Sequence, residues 1–195
     1  MNISVILSHP NTMSFNHAIA STAIDILKGR GHTIFFHDLY VEGFNPNLPY
    51  AEFEANADLP ANIRDYCEEV KASNGFIIIH PNWWSQPPAV MKGWIDRVFR
   101  PGVAYKFLEG DRGEGIPVGL LKAESAIVFN TSNTPAERET KVFGDPLETL
   151  WKNCIFGLCG VKRFVRKKYR ILVTSTLQQR KTWLKDVEQT IMDFY

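Results

Sequence analysis

The sequence has 195 residues, of which 45% are hydrophobic and 22% are charged, a composition typical of a globular domain that excludes a disordered or fibrous chain. Lys and Arg number 22 against 21 Asp and Glu, so no overall field favours nucleic acid or a membrane surface. Three cysteines without a CxxC pair argue against a disulfide framework or a metal site and fit a reducing cytoplasm. We expect a single cytoplasmic domain over residues 1–195, with no membrane insertion, because its first apolar run is too short for a signal peptide or a span.

Short apolar runs alternate with longer amphipathic runs, which is the pattern of an α/β protein. Nearly continuous apolar content predicts parallel strands at residues 3–7, 33–36, 76–79, 125–129 and 170–173. Helical spacing predicts helices at residues 14–29, 61–72, 89–99, 146–158 and 175–192, the last with a capping box from Ser175 to Gln178. Right-handed crossovers then predict an open, doubly wound, five-stranded parallel sheet with helices on both faces, and ligand sites outside the carboxyl ends of its strands.

Two stretches, residues 41–60 and 102–119, are longer than usual connections. Each either shapes a site or is a surface excursion.

The loop after the first strand is rich in hydroxyl groups and opens directly onto a helix. Ser8, Thr12 and Ser14 could converge on a phosphate together with the free N–H groups of the helix end. Alternatively, Ser14 only caps the helix and His9 is an ordinary loop residue. Neither GxGxxG nor GxxxxGK[ST] is present, so this loop is more typical of a flavin mononucleotide pocket in a flavodoxin-like sheet.

The loops after the third and fourth strands add aromatic and polar groups at the same edge. Two adjacent indoles, Trp83 and Trp84, are suited to flank a flat ligand, although either one alone is as readily a core residue. Residues 130–135 form a short polar loop that is either a simple turn or a set of donors for a polar ring.

Several of these segments resemble the flavin-dependent NAD(P)H:quinone oxidoreductases and their bacterial relatives, which include ancillary flavoproteins of potassium-efflux systems. The most specific match is the stretch from Pro88 to Phe99, with its Lys92-Gly93-Trp94 core. Moderate matches are residues 8–10 with 14–16, 104–105, 131–132 and 144–160.

The resemblance implies a flavodoxin-like fold and a homodimer with active sites between its subunits. It also implies ping-pong transfer of a hydride from NAD(P)H to a bound flavin and then to a quinone or other flat acceptor. Carried over by position, Trp84 and Tyr105 would wall the substrate site. The flavin would be held by His9, Ser14, Phe15, Asn16, Asn82, Trp83, Trp84, Ser85, Thr131 and Ser132.

The chain departs from the well-studied branch of that family at three places. Glu139 and Phe143 stand where that branch has a tyrosine and a histidine, and Asn133 and Thr134 replace two glycines. The long C-terminal extension of that branch is not in the sequence, so FAD and FMN both remain candidates. The Ser14-Phe15-Asn16 match favours FAD slightly.

Six basic residues fall within nine positions between Lys162 and Arg170. They form either a solvated sheet edge, a surface for an acidic partner, or a site for the phosphate of NADPH. The basic stretch and the two long loops could serve an alternative function, a regulatory flavoprotein that binds the cytoplasmic domain of a membrane transporter. A flavodoxin-type electron carrier is a further alternative. The near-zero net charge disfavours the carrier.

Overall fold

A computed structural model of the protein describes residues 1–54, 56–111 and 114–195. Its centre is a five-stranded, all-parallel sheet in the order β2-β1-β3-β6-β7. The strands are β1 (Asn2–Leu7), β2 (Thr33–Asp38), β3 (Gly75–Pro81), β6 (Ser125–Thr131) and β7 (Arg163–Tyr169). The predicted flavodoxin-like architecture is therefore confirmed.

Helices cover both faces of the sheet because its central strands are apolar on both sides. Helices α1 (Phe15–Gly29) and α5 (Leu177–Phe194) pack on the face that carries Val5 and Ile77. Helices α2 (Ala61–Ala72) and α3 (Ala89–Val98) pack on the opposite face with Ile6 and Ile78. Consecutive residues of one strand thus enter different cores, as the two-residue period of a strand requires.

The fifth predicted strand is misplaced. The sequence favours residues 170–173, but β7 spans Arg163–Tyr169, and Leu172–Thr174 forms a 3-10 turn after Ile171 at φ 56°. The prediction failed because β7 is a basic edge strand that resembles a solvated surface in sequence. Its long side chains lie along the protein and end in ion pairs.

Two helix boundaries also differ from the predictions. The capping box of α5 is formed by Thr176 and Gln179 and not by Ser175 and Gln178. The helix predicted at residues 146–158 is split into α4 (Pro146–Thr149) and a π-helical segment, Leu150–Gly157. A second π-helical segment, Arg138–Val142, precedes them.

The two long stretches have short ordered elements of their own. Within the first, Tyr50–Glu52 forms a 3-10 turn, and Arg97 of α3 holds the buried Glu52 carboxylate by two bonds of 2.9 and 2.5 Å. Within the second, β4 (Tyr105–Lys106) pairs with β5 (Val118–Gly119), while residues 112–113 lie outside the described residues.

No helix in the described part of the chain is long and apolar enough to cross a membrane. The same part holds no group of three or more His, Cys, Asp or Glu side chains that could bind a metal ion.

Candidate functional site

Three polar loops meet at the carboxyl edge of the sheet because β1, β3 and β6 are neighbours. Backbone hydrogen bonds link each loop to the next strand. The N–H of Ser8 donates to Ile79 O at 3.0 Å, and that of Asn82 donates to Thr131 O at 2.7 Å. The N–H of Ser132 donates to Tyr169 O at 3.0 Å. The strand order therefore assembles one continuous site, as predicted for a doubly wound sheet.

The first loop ends at the N-terminus of α1, which Ser14 caps. Asn16, in the first turn, is fully buried and donates through Nδ2 to Thr131 Oγ1 at 2.9 Å. Phe15 packs against Tyr169 and Trp183. These side chains anchor the start of the helix, whose first N–H groups point out of its N-terminal end.

Beside this helix start, His17 connects Ser14 to β2. His17 Nδ1 lies 2.9 Å from Ser14 Oγ, and His17 Nε2 lies 2.8 Å from Asp38 Oδ2. His9 lies edge-on to His17, with 6.3 Å between ring centroids. Sequence reasoning found Ser14 and His9 but missed His17 and Asp38, because 21 residues separate them.

Two hydroxyl groups at this edge have no hydrogen-bond partner among the residues that the structure describes. Ser8 Oγ follows β1, and Ser132 Oγ follows β6; both atoms are buried. A buried hydroxyl without a partner costs about 1–3 kcal/mol. Such atoms are suited to form hydrogen bonds with a polar ligand. This edge therefore fits a phosphate and a polar ring, which are the groups that a flavin carries.

A two-residue turn after β3 presents an indole to solvent. Trp83 and Gln86 exchange two backbone hydrogen bonds of 3.1 and 3.0 Å, and the residues between them, Trp84 and Ser85, have φ angles of 55° and 59°. Positive φ at both central positions is normally supplied by Asn and Gly. The strained turn leaves Trp84 98% exposed, whereas Trp83 is 40% exposed and lies 6.3 Å from the His9 ring.

A cleft of about 520 Å³ lies beside this turn. One wall comes from the loop after β3, and the other comes from the segment after β6. Its lining residues are Asn82, Trp84, Ser85, Thr134, Arg138 and Phe143. The volume and the aromatic wall are suitable for a flat organic ligand.

The two residues that replace the tyrosine and histidine of the quinone reductase pattern, Glu139 and Phe143, occupy different environments. Phe143 is half-exposed at the cleft, whereas Glu139 is buried behind it. Glu139 accepts hydrogen bonds from Arg166 at 3.0 Å, Arg170 at 2.7 Å and Asn82 Nδ2 at 3.4 Å. An anion paired with two cations therefore orients the Asn82 amide at the edge of the cleft.

Beneath the cleft, the fully buried His80 is held neutral. Its Nδ1 donates to Pro81 O at 2.8 Å, and its Nε2 accepts the indole N–H of Trp151 at 2.9 Å. Burial lowers the pKa of His80 to about 3, opposed by its bond to Pro81 O and assisted by the nearby charge of Arg166. The structure therefore assigns His80 to the support of the site and not to proton transfer at neutral pH.

Most of the basic segment is paired within the chain. Arg166 has a fully buried side chain and contacts Asp145 at 2.6 Å, while Lys167 pairs with Asp186 at 2.7 Å. Lys168 lies 2.9 Å from Asp145. Although burial opposes it, the bonds from Lys168 and Arg166 hold the pKa of Asp145 below its usual value. Of the three interpretations, the geometry matches a sheet edge whose charges are neutralised internally.

All ten predicted flavin residues lie in or directly beside the three loops at one edge of the sheet, and Asn16 bonds to Thr131. Tyr105 lies elsewhere, on β4, where it lines a separate cavity of about 240 Å³ with Phe53 and Arg100. Trp84 and Tyr105 therefore do not share a cavity within one chain.

Comparison with known proteins identifies the class. Residues 1–182 match the family model of the flavodoxin-like fold, and the chain belongs to that family. An uncharacterised NAD(P)H oxidoreductase of Haemophilus influenzae is 34% identical over 167 residues, covering 83% of this chain and 80% of that protein. The human ribosyldihydronicotinamide dehydrogenase [quinone] is 28% identical over 183 residues, covering 82% of this chain and 77% of that protein. The resemblance to this enzyme family and the prediction of an NAD(P)H dehydrogenase-type enzyme are confirmed.

Solved structures share this fold. The protein Smu.1420 of Streptococcus mutans superposes with a TM-score of 0.84 at 30% identity, covering 99% of this chain and 100% of that one. An FMN-dependent NADH-azoreductase of Bacillus anthracis, in complex with FMN, superposes with a TM-score of 0.79 at 15% identity, covering 100% of this chain and 99% of that one. At this low identity, the azoreductase shows only that the fold is shared.

Proposed function

We propose that this protein is a flavin-dependent oxidoreductase that moves two electrons, as a hydride, from NAD(P)H to a quinone-like acceptor in a ping-pong sequence. One juxtaposition supports the proposal above all. A capped helix start with unpaired hydroxyls, suited to a phosphate, adjoins an aromatic-walled cleft of about 520 Å³. The family relatives named as NAD(P)H and quinone dehydrogenases supply the reaction class.

In this proposal, Ser8, His9 and Ser14 at the N-terminus of α1 would hold the phosphate, and Asn82 and Ser132 would hold the flavin ring. A bound flavin would supply the hydride-transfer chemistry. The slight preference for FAD has no support among the solved neighbours, two of which are complexes with FMN. Chromatography of the flavin released from the protein identifies it.

The side chains of the cleft bind and orient the substrates. Trp84 would stack on the nicotinamide and, after it has left, on the acceptor. Asn82, oriented by Glu139, would donate to or accept from the polar edge of the flavin ring. Glu139, at the position of the tyrosine of the well-studied branch, is paired with Arg166 and Arg170, and Phe143, at the position of its histidine, has no ionisable group.

We also propose that the active form is a homodimer in which Tyr105 of one subunit faces Trp84 of the other. The separation of these residues within one chain supports this arrangement, because each is in a cavity that a second copy could complete. Sedimentation at several concentrations tests it, since a fully active monomer would contradict it.

Anaerobic stopped-flow absorbance tests the proposed function directly. Flavin-loaded protein is mixed with NADH or NADPH and then with menadione. We expect rapid bleaching of the flavin absorbance followed by complete recovery, and parallel lines in initial-rate plots. A protein that binds flavin but is not reduced by either nicotinamide would contradict the enzyme function and favour the regulatory alternative.

The regulatory alternative, with a membrane transporter as partner, drew its support from the basic segment. Because most of those charges are paired internally, they offer little to an acidic partner, and the geometry favours the enzyme.

A further inference from the structure

A chain of three side chains leads from β2 to the proposed phosphate position. Ser14 Oγ lies 2.9 Å from His17 Nδ1, and His17 Nε2 lies 2.8 Å from Asp38 Oδ2. Asp38 is buried, and its Oδ1 accepts the backbone N–H groups of Tyr40 and Val41, both at 3.2 Å. The carboxylate is therefore held in place independently of His17.

The hydrogen-bonding capacity of these groups allows two arrangements of protons. The carboxylate of Asp38 can only accept, so His17 Nε2 carries a proton in both. If the imidazole is neutral, His17 Nδ1 has only a lone pair, and the hydroxyl proton of Ser14 must point toward it. Ser14 Oγ already accepts the backbone N–H of His17 at 3.4 Å, so the hydroxyl then has no proton left for a ligand.

If the imidazole is protonated, the direction of the bond between His17 and Ser14 reverses. His17 Nδ1 now donates to Ser14 Oγ, and the hydroxyl proton of Ser14 becomes available to another acceptor. The positive imidazolium is also stabilised by the Asp38 carboxylate at 2.8 Å.

We propose that His17 is a positioning residue that couples binding of the flavin phosphate to uptake of a proton. The inference rests on the proposed function, because it places the phosphate at the N-terminus of α1. An ionised phosphate can only accept hydrogen bonds, so it favours the arrangement in which Ser14 is free to donate. That arrangement requires protonated His17, which adds a positive charge beside the phosphate.

The other titratable group facing His17 among the described residues is His9, from the loop after β1. Burial lowers the pKa of His9, against the opposing effect of the contact between its Nδ1 and Asn11 O at 3.2 Å. Burial therefore disfavours the charged form of His9, and the inference assigns the proton to His17.

The test measures flavin affinity by fluorescence on flavin-free protein between about pH 7 and about pH 9, above the second pKa of a phosphate monoester near 6. We expect the affinity for FMN to fall with rising pH, by up to about tenfold per pH unit for one linked proton. The affinity for riboflavin, which lacks the phosphate, should stay constant. Calorimetry in buffers of different ionisation enthalpy should show uptake of up to about one proton with FMN and none with riboflavin.

Two variants test whether His17 is the group that takes up the proton. His17→Phe and His17→Gln should each make FMN affinity independent of pH. His37→Gln is the matched control, because His37 also contacts carboxylates, those of Glu42 and Glu69, without touching Ser14. It should retain the wild-type dependence.

Three results would overturn the inference. The first is FMN binding without proton uptake, and the second is a pH dependence of FMN affinity that persists in both His17 variants. Either result would leave the proposed flavin function intact. Failure of the wild type to bind either flavin would instead refute the proposed function, and the inference with it.

Discussion

Trp84 combines a strained backbone with a fully exposed side chain, so its structural and functional roles can be separated. Its φ is 55° and it is 98% exposed. A left-handed conformation costs a residue with a Cβ about 1–2 kcal/mol, a cost that glycine does not have. Glycine loses about 0.5–1 kcal/mol more in conformational entropy on folding.

Trp84→Gly should therefore raise the free energy of unfolding by about 0.5–1 kcal/mol, or raise Tm by about 1–4 °C for a chain of this length. Trp84→Ala keeps the Cβ and the strain, and it removes an indole that has almost no contact with the rest of the chain, so stability should stay within about 0.5 kcal/mol. Both variants lose the stacking wall. They should both raise KM for menadione and lower kcat.

Urea unfolding of flavin-free protein and steady-state kinetics of flavin-loaded protein check the two effects separately. A glycine variant that is no more stable than the alanine variant would refute the strain argument. Unchanged KM and kcat in both variants would refute the assignment of Trp84 to the substrate site.

Three further predictions concern buried polar groups. Ser8→Ala removes a buried hydroxyl that has no partner among the described residues. Flavin affinity should fall about five- to tenfold, while the stability of the flavin-free protein should rise by up to about 1–3 kcal/mol because the cost of that hydroxyl is removed. Ser4→Ala breaks a 2.7 Å bond to another buried serine, so it should cost about 1 kcal/mol of stability and leave flavin affinity intact; fluorescence titration and urea unfolding distinguish the two variants. Arg166→Met should lower the free energy of unfolding in urea by about 3–5 kcal/mol because it leaves buried carboxylates without their cation. Glu137→Gln, which breaks an exposed pair, should change stability by less than about 0.5 kcal/mol. Equal losses in the two variants would contradict the burial argument. The pKa of His80 is about 3 in the folded protein and about 6.5 in the unfolded chain, so its contribution to the free energy of unfolding is complete above about pH 6.5 and falls by about 1.4 kcal/mol per pH unit below that. Denaturant titrations at about pH 7.5 and pH 5 should therefore show about 2 kcal/mol less acid destabilisation in His80→Asn than in the wild type. An identical loss of stability in the two proteins would contradict a neutral buried His80.

Much of the site was predictable because local pattern determines where strands end. The apolar runs of β1, β3 and β6 stand out in sequence, and the order of a doubly wound sheet places their following loops side by side. The sequence therefore predicts the hydroxyls of Ser8 and Ser14 and the paired indoles as candidate site groups.

The alternation of strands and helices, the class of fold and the loops that meet at one edge all follow from local pattern, because burial on one or both faces leaves a periodic trace in the chain. The span of β7, the partners of Glu139 and the link from Asp38 through His17 to Ser14 follow only from the folded arrangement. These depend on charges and hydrogen bonds between residues far apart in sequence, which leave no local period. The structure also decided that Trp84 occupies a strained turn, a conformation that its residue type disfavours and that two backbone bonds between Trp83 and Gln86 impose.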